Sequence, residues 1–196
     1  MAPVDASAPA VVVLTSFLPF RGSESYAGHE LVALKEAGVN VILVPRSIGG
    51  AVIGVDAASL HRDALLVPLV SWPVLLNVAW MLVSRCGLLI DILFWLIRRS
   101  NTPIDFIKGA AVVPTALYLG RQLKNSAVYH VCAHQVTSVA DIGYVLSRML
   151  DVPWSGVLHG PSVVTTKWRR AFGAMLDSMQ FLRSIDSLGV SKLNEL

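Results

Sequence analysis

Cysteine is nearly missing from this chain, and charge is thin. Two cysteines, Cys86 and Cys132, stand far apart inside apolar runs. With no CxxC pair and no Cys/His spacing, they give no disulfide framework and no zinc site, and read as buried thiols in a reducing compartment. Charged residues make up only 15 % of the 196, hydrophobic ones 54 %, and the mean hydropathy is +0.61. An ordinary soluble domain is about a quarter charged, so the excess apolar surface needs a large core, a partner or a lipid surface. The net charge of +3 suits an anionic ligand or leaflet and is too small to argue for nucleic acid. A G-x-G-x-x-G fingerprint, a P-loop and a G-x-S-x-G elbow are also missing. The last of these leaves His159-Gly160 without a nucleophile to serve, which disfavours an α/β hydrolase. Residues 1–10 have no basic segment and no long apolar core, so they read as a tail and not a signal peptide.

What is present alternates. Val11 to Phe17 is a β-branched run of the kind buried on both faces of a sheet. Pro19 and Gly22 break it, Ser23 to Ala37 has helical spacing, and Gly38 closes that helix before a strand at Val39 to Val44. Ile48 to Ala58 reads as loop, and Ala64 to Val70 as a third strand. Pro103 to Lys124 is helical with a kink expected at Pro114. Val128 to Cys132 is a strand, a helix capped by Thr137 or Ser138 runs to Leu150, and Trp154 to Leu158 is the next strand. Lys167 to Phe181 reads as helix and Ser184 to Val190 as the last strand. The pattern predicts an α/β domain with a Rossmann-like parallel sheet and helices on both faces.

Trp72 to Arg99 is the unusual stretch. Almost every residue is apolar, yet Asn77, Ser84, Asp91 and Arg98 recur every seven residues and form one narrow polar stripe. A membrane span would sink Arg85 and Asp91 into lipid at roughly 2.5–3.5 kcal/mol each, and Pro73 and Gly87 weaken it further. A buried core helix and a helix lying on a bilayer surface are favoured equally above it. In the second case Trp80, Trp95, Arg98 and Arg99 are the docking residues.

Chemistry is sought at strand ends, because ligands of open α/β sheets bind beyond the carboxyl ends of the strands. His134 and His159 each follow a strand of one βαβ unit, and imidazole can exchange hydrogen bonds and protons with a sugar hydroxyl or a phosphate. His29, His61 and His130 are read as structural or surface residues. The turn at Gly22, Ser23 and Glu24 opens a helix and would favour a phosphate, although a turn glycine with a capping serine is the favoured local reading, and Glu24 would repel the anion. Lys167 to Arg170 is a basic, aromatic cluster, a solvated face or an anion contact.

Several pieces together resemble bacterial family-four GT-B glycosyltransferases. Leu14-Thr15-Ser16-Phe17-Leu18-Pro19, Ser23-Glu24-Ser25-Tyr26 and His29-Glu30-Leu31 look like that family's opening strand, turn and helix. Tyr129 to His134, Leu150 to His159 and Ile185 to Leu196 resemble its later strands. The resemblance implies the N-terminal, acceptor-side half of a GT-B fold over residues 11–196, with the C-terminal donor-binding domain absent and the chain inactive alone. It implies sugar transfer from a nucleotide-sugar donor to a lipid-linked or saccharide acceptor in cell-surface polysaccharide synthesis. It needs no metal and no cofactor beyond that donor, and it acts at the inner face of the cytoplasmic membrane. It places His159 as the catalytic residue, with Gly22, Ser23, Glu24, His134 and Gly160 binding substrate. Where the family carries an aspartate after this strand, the chain has Ser162. A non-catalytic, membrane-docking and acceptor-binding subunit of a split enzyme is the alternative.

Overall fold

A computed structural model describes residues 8–18, 25–49, 60, 64–68, 71–158, 169–185, 187 and 191. It is α/β, with an all-parallel five-stranded sheet flanked by helices, consistent with a Rossmann-like fold. The strands are β1 (Ala10–Leu18), β2 (Asn40–Ile48), β3 (Val128–Ala133), β4 (Trp154–Leu158) and β5 (Phe181–Ser184), in the spatial order β2-β1-β3-β4-β5. The helices are α1 (Ser25–Glu36), α2 (Trp72–Ser84), α3 (Cys86–Arg99), α4 (Pro103–Leu123), α5 (Ser138–Leu150) and α6 (Arg169–Leu176).

The β-branched run of β1 suits an interior strand, here between β2 and β3, and its alternation divides the core in two. Val12 and Leu14 point into the larger cluster with Ile42, Val131, Ala133 and the inner face of α5. Val13 points the other way, to Leu31 of α1 and Leu43 of β2. This is what right-handed crossovers require when the chain leaves β1 in one direction and returns past it in the other. The reversal falls between β1 and β3, which makes their carboxyl ends the topological switch point. As the sequence predicts, Gly38 ends α1 with a positive φ of 79°, and β3–α5–β4 is a parallel βαβ unit with Cys132 opposite Ser155.

Several boundaries differ. β2 runs on through Pro45, which lies opposite Thr15; an edge strand tolerates the missing N–H. Ala64 to Pro68 forms no strand, and only a Leu65 N–H to Leu43 carbonyl bond of 2.8 Å ties it to β2. The last strand begins at Phe181, where helix was expected, and α6 is correspondingly shorter. Pro114 sits inside α4, which continues through it, and Thr102 and Asp105 form a reciprocal capping box at its start.

The largest departure is at 72–99. The expected single helix is two, joined at Arg85 and bent by 106°. Three members of the polar stripe reach partners outside their own helix, and Ser84 bonds to the Trp80 carbonyl of its own helix. Asn77 accepts from Arg121, Asp91 accepts from Tyr144 and Arg148, and Arg98 pairs with Asp177.

Candidate functional site

At the carboxyl end of β3 the backbone N–H of His134 donates to the carbonyl of Leu14, which pins the residue to the switch point. The imidazole is buried, with Nε2 3.0 Å from Oε2 of Glu30 on α1. Glu30 is gripped from its other side by Arg183 of β5, whose Nη1 and Nη2 donate to Oε1 and Oε2 at 2.7 and 2.6 Å. Such a two-pronged contact is among the stronger charge-assisted pairings. The His134 hydrogen bond, and after it the Arg183 guanidinium, hold the Glu30 carboxyl down at about 2, against the opposing effect of burial. An ionised Glu30 can only accept, so Nε2 of His134 carries the proton and donates. The cluster thereby fixes the tautomer and orientation of the ring.

These side chains border a cavity of about 230 Å³ on the side of the sheet where α1 covers β1 and β2. Its walls are mostly apolar, with His130, Cys132, Ser155 and Phe181 contributed by the three far strands. His130 bonds to Ser155 Oγ at 2.8 Å and stacks on Phe181, and burial lowers its pKa. Burial also raises the Cys132 thiol, which keeps it protonated and unreactive. The arrangement can seat a small apolar or aromatic group and offer it polar contacts at the rim. Nearby, Ser16 Oγ donates to Gln135 Oε1 at 2.8 Å, while the buried Thr15 hydroxyl has no partner among the described residues.

Of the residues expected to carry chemistry, His134 lies in this cluster, and His159, Gly22, Ser23, Glu24 and Gly160 fall outside the described residues, as does His61. His29 is exposed. Arg183 was missed, and a lone arginine in a four-residue strand gives no sequence signal. Glu30 entered only within a resemblance, because its partners lie 104 and 153 positions away.

Two of the four expected docking residues need correction. Trp95 is 5 % exposed, stacks on Tyr144 at 4.0 Å and meets Trp154 edge-on, so it is a core residue and not a headgroup contact. Arg99 is 4 % exposed and ion-paired with the fully buried Asp141. Gly109 admits that pair, since a Cβ there would stand 2.9 Å from Leu96 and 3.2 Å from both charged partners. Burial lifts the Asp141 carboxyl to about 7 against the pull of Arg99. Trp80 and Arg98 do face outward, Trp80 with the Arg121 guanidinium 4.6 Å from its ring centroid. The outward set also holds Ser84 and Arg85 at the bend but is mostly apolar, and includes Trp72, Leu76, Val83, Ile90, Phe94 and Ile97, with Val83 87 % exposed. Among the described residues no group of three or more His, Cys, Asp or Glu is placed to hold a metal ion, and no single helix is long and apolar enough to cross a membrane. Comparison with protein-family models, with curated proteins and with solved structures finds no match to the chain.

Proposed function

We propose that the chain is the acceptor-side domain of a glycosyltransferase that works against an anionic membrane surface, the inner face of the cytoplasmic membrane. It would move a sugar from a nucleotide-sugar donor to a lipid-linked or saccharide acceptor in cell-surface polysaccharide synthesis. The observation that carries the membrane part is the inverted pair α2 and α3. Asn77, Asp91 and Arg99 turn toward the protein, while Trp72, Leu76, Val83, Phe94 and Ile97 turn away from it, with Ser84, Arg85 and Arg98 also at the surface. A water-facing helix pair has the opposite arrangement, and an exposed apolar face of this extent marks an interaction surface. Complete burial of a Val, Ile or Phe side chain is worth about 1.5–3 kcal/mol, against about 1 kcal/mol for a Lys or Arg near an anionic leaflet. Apolar insertion therefore dominates, and salt should weaken docking only slightly.

The transfer part is supported by the motif order in the sequence and by a histidine oriented at the switch point of the sheet. His134 would meet the acceptor or the sugar, with Glu30 and Arg183 as positioning residues. His159, Gly22, Ser23, Glu24 and Gly160 keep the roles the resemblance gives them, and a second Rossmann domain supplies the donor pocket. Flotation with vesicles containing phosphatidylglycerol tests the docking surface. The wild-type chain should float, Val83→Asp/Phe94→Asp should stay at the bottom, and a wild type that does not float would end the membrane reading. Calorimetry tests the division of labour. The chain alone should bind UDP- or GDP-sugars weakly and transfer nothing, and micromolar affinity would overturn it.

A further inference from the structure

On the α5 side of the carboxyl edge, away from the His134 cluster, a cavity of about 570 Å³ lies between the end of β2, helix α4 and the start of α5. Arg46, Arg99, Lys108, Thr137 and Ser138 line it, together with Asp105. The carboxylates near it are partly engaged, and Asp141 Oδ1 has no partner among the described residues. Asp105 Oδ2 accepts from the N–H and hydroxyl of Thr102 at 3.1 and 2.9 Å, and Asp141 is held by Arg99. The cations are less occupied. Arg46 reaches the Ser138 hydroxyl and the Phe17 ring, and Lys108 has no carboxylate partner among the described residues. Arg99 is buried with its Nε–H unpaired among the described residues, a donor whose isolation costs about 1–3 kcal/mol.

The start of α5 adds to this field. Thr137 stands at the N-cap position but makes no side-chain capping bond, which leaves backbone N–H groups there for a ligand, although Asp141 in the first turn offsets part of the helix's positive end. Guanidinium, ammonium and a helix N-terminus together suit a tetrahedral dianion better than a single carboxylate. One wall is apolar. Ala111 lines the cavity, and Ile104 and Ile107, each 63 % exposed, lie one turn before Lys108 and Ala111 on α4. A free phosphate would have no use for those two isoleucines.

We infer that this cavity binds the phosphate group of an anionic lipid, with the head between Arg46, Lys108 and the start of α5 and the chain along Ile104 and Ile107. The inference deepens the membrane reading and rests on it for delivery of the lipid. It identifies the head of the acceptor as a phosphate ester without relying on sugar transfer.

Calorimetry on the full chain with dihexanoyl phosphatidic acid below its micelle concentration tests it, with inorganic phosphate and dihexanoyl phosphatidylcholine as the other two arms. The phosphatidic acid should bind at least tenfold more tightly than either. Arg46→Gln/Lys108→Gln should weaken it at least tenfold with an unchanged melting temperature. Lys108→Glu, on an exposed side chain, should do the same if the double variant folds poorly. Equal binding by wild type and variants would overturn the site, and inorganic phosphate binding as tightly as the lipid would overturn the lipid assignment. Val83→Asp/Phe94→Asp separates the two proposals, since it should abolish flotation yet leave the soluble lipid's affinity intact. If wild type binds the soluble lipid through Arg46 and Lys108 but never floats, the docking surface fails and the cavity stands.

Discussion

Helices α5 and α3 are each rich in apolar residues, but α5 turns them to the core whereas α3 leaves many at the surface. In α5 the apolar positions Val139, Ile142, Val145 and Leu146 are buried against the sheet and Arg148 points out. In α3 the buried surface includes Arg99, Asp91 reaches inward to Tyr144 and Arg148, and Ile90, Phe94 and Ile97 point out. The difference teaches that apolar content does not choose the inner face of a helix when the protein beside it offers polar partners. Asp91 and Arg99 pair with α5 beside the buried Ile92, Trp95 and Leu96, and the remaining apolar residues of α3 are left for another phase. Tyr144, pushed up to about 12 chiefly by burial and then by Asp91, stays a neutral donor in that seam at any ordinary pH.

The inward side of α3 can be broken hardest at Trp95. Trp95→Ala removes the ring stacked on Tyr144 and the Nε1 bonds to Ala174 and Ser178; it should cost about 3–5 kcal/mol in urea denaturation. Arg99→Met should cost nearly as much, about 3–5 kcal/mol, because Asp141 would be left buried without its partner. Arg99→Met/Asp141→Leu should recover most of that loss. The buried acid also has a pH signature. A carboxyl raised from its usual value to about 7 takes up protons more readily when folded, so stability falls as pH rises from about 4 to about 7. Asp141→Asn should flatten that slope in thermal melts. Gly109→Ala comes next, at about 1–3 kcal/mol, since the new methyl meets Leu96 and both members of the ion pair.

Glu30 behaves oppositely to Asp141, and the contrast sharpens the picture. A carboxyl depressed from 4.5 to about 2 contributes stability that is full above pH 4.5 and is lost as pH falls toward 2. Glu30→Gln should remove that acid-side loss in melts between pH 5 and 2, conditions fixed by the same shift. The outward side gives the smallest stability effect. Val83→Ser or Phe94→Ser should change unfolding by no more than about 0.5 kcal/mol while reducing vesicle flotation. A large stability loss there would return α3 to the core reading.

Much of the sheet was legible because its signals are local. The alternation of β1, the Gly38 stop and the βαβ spacing around His134 need no distant partner to be read. The third strand expected at Ala64 to Val70 is not formed over its described part, Ala64 to Pro68, for the opposite reason. An apolar run becomes a strand only where a neighbour offers a full ladder, and β2 gives it one hydrogen bond through Leu65. At the site, His134 was visible from its place after a strand. Its orientation was not, because Glu30 and Arg183 come from other elements and are joined to it only by folding.

The sequence by itself determined the alternation of strands and helices, the polar stripe of seven-residue period and the excess of apolar residues. These follow from side-chain periodicity along a short segment. Only the tertiary structure decided that Asn77 and Asp91 of the stripe reach inward while Ser84 and Arg98 do not, that the helix breaks at Arg85, and that Trp95 and Arg99 are interior while Val83 and Phe94 are not. The physical reason is that a helical pattern fixes which residues share a face, whereas the direction of that face depends on which distant groups, here Asp141, Tyr144, Arg148 and Asp177, stand ready to pair with it.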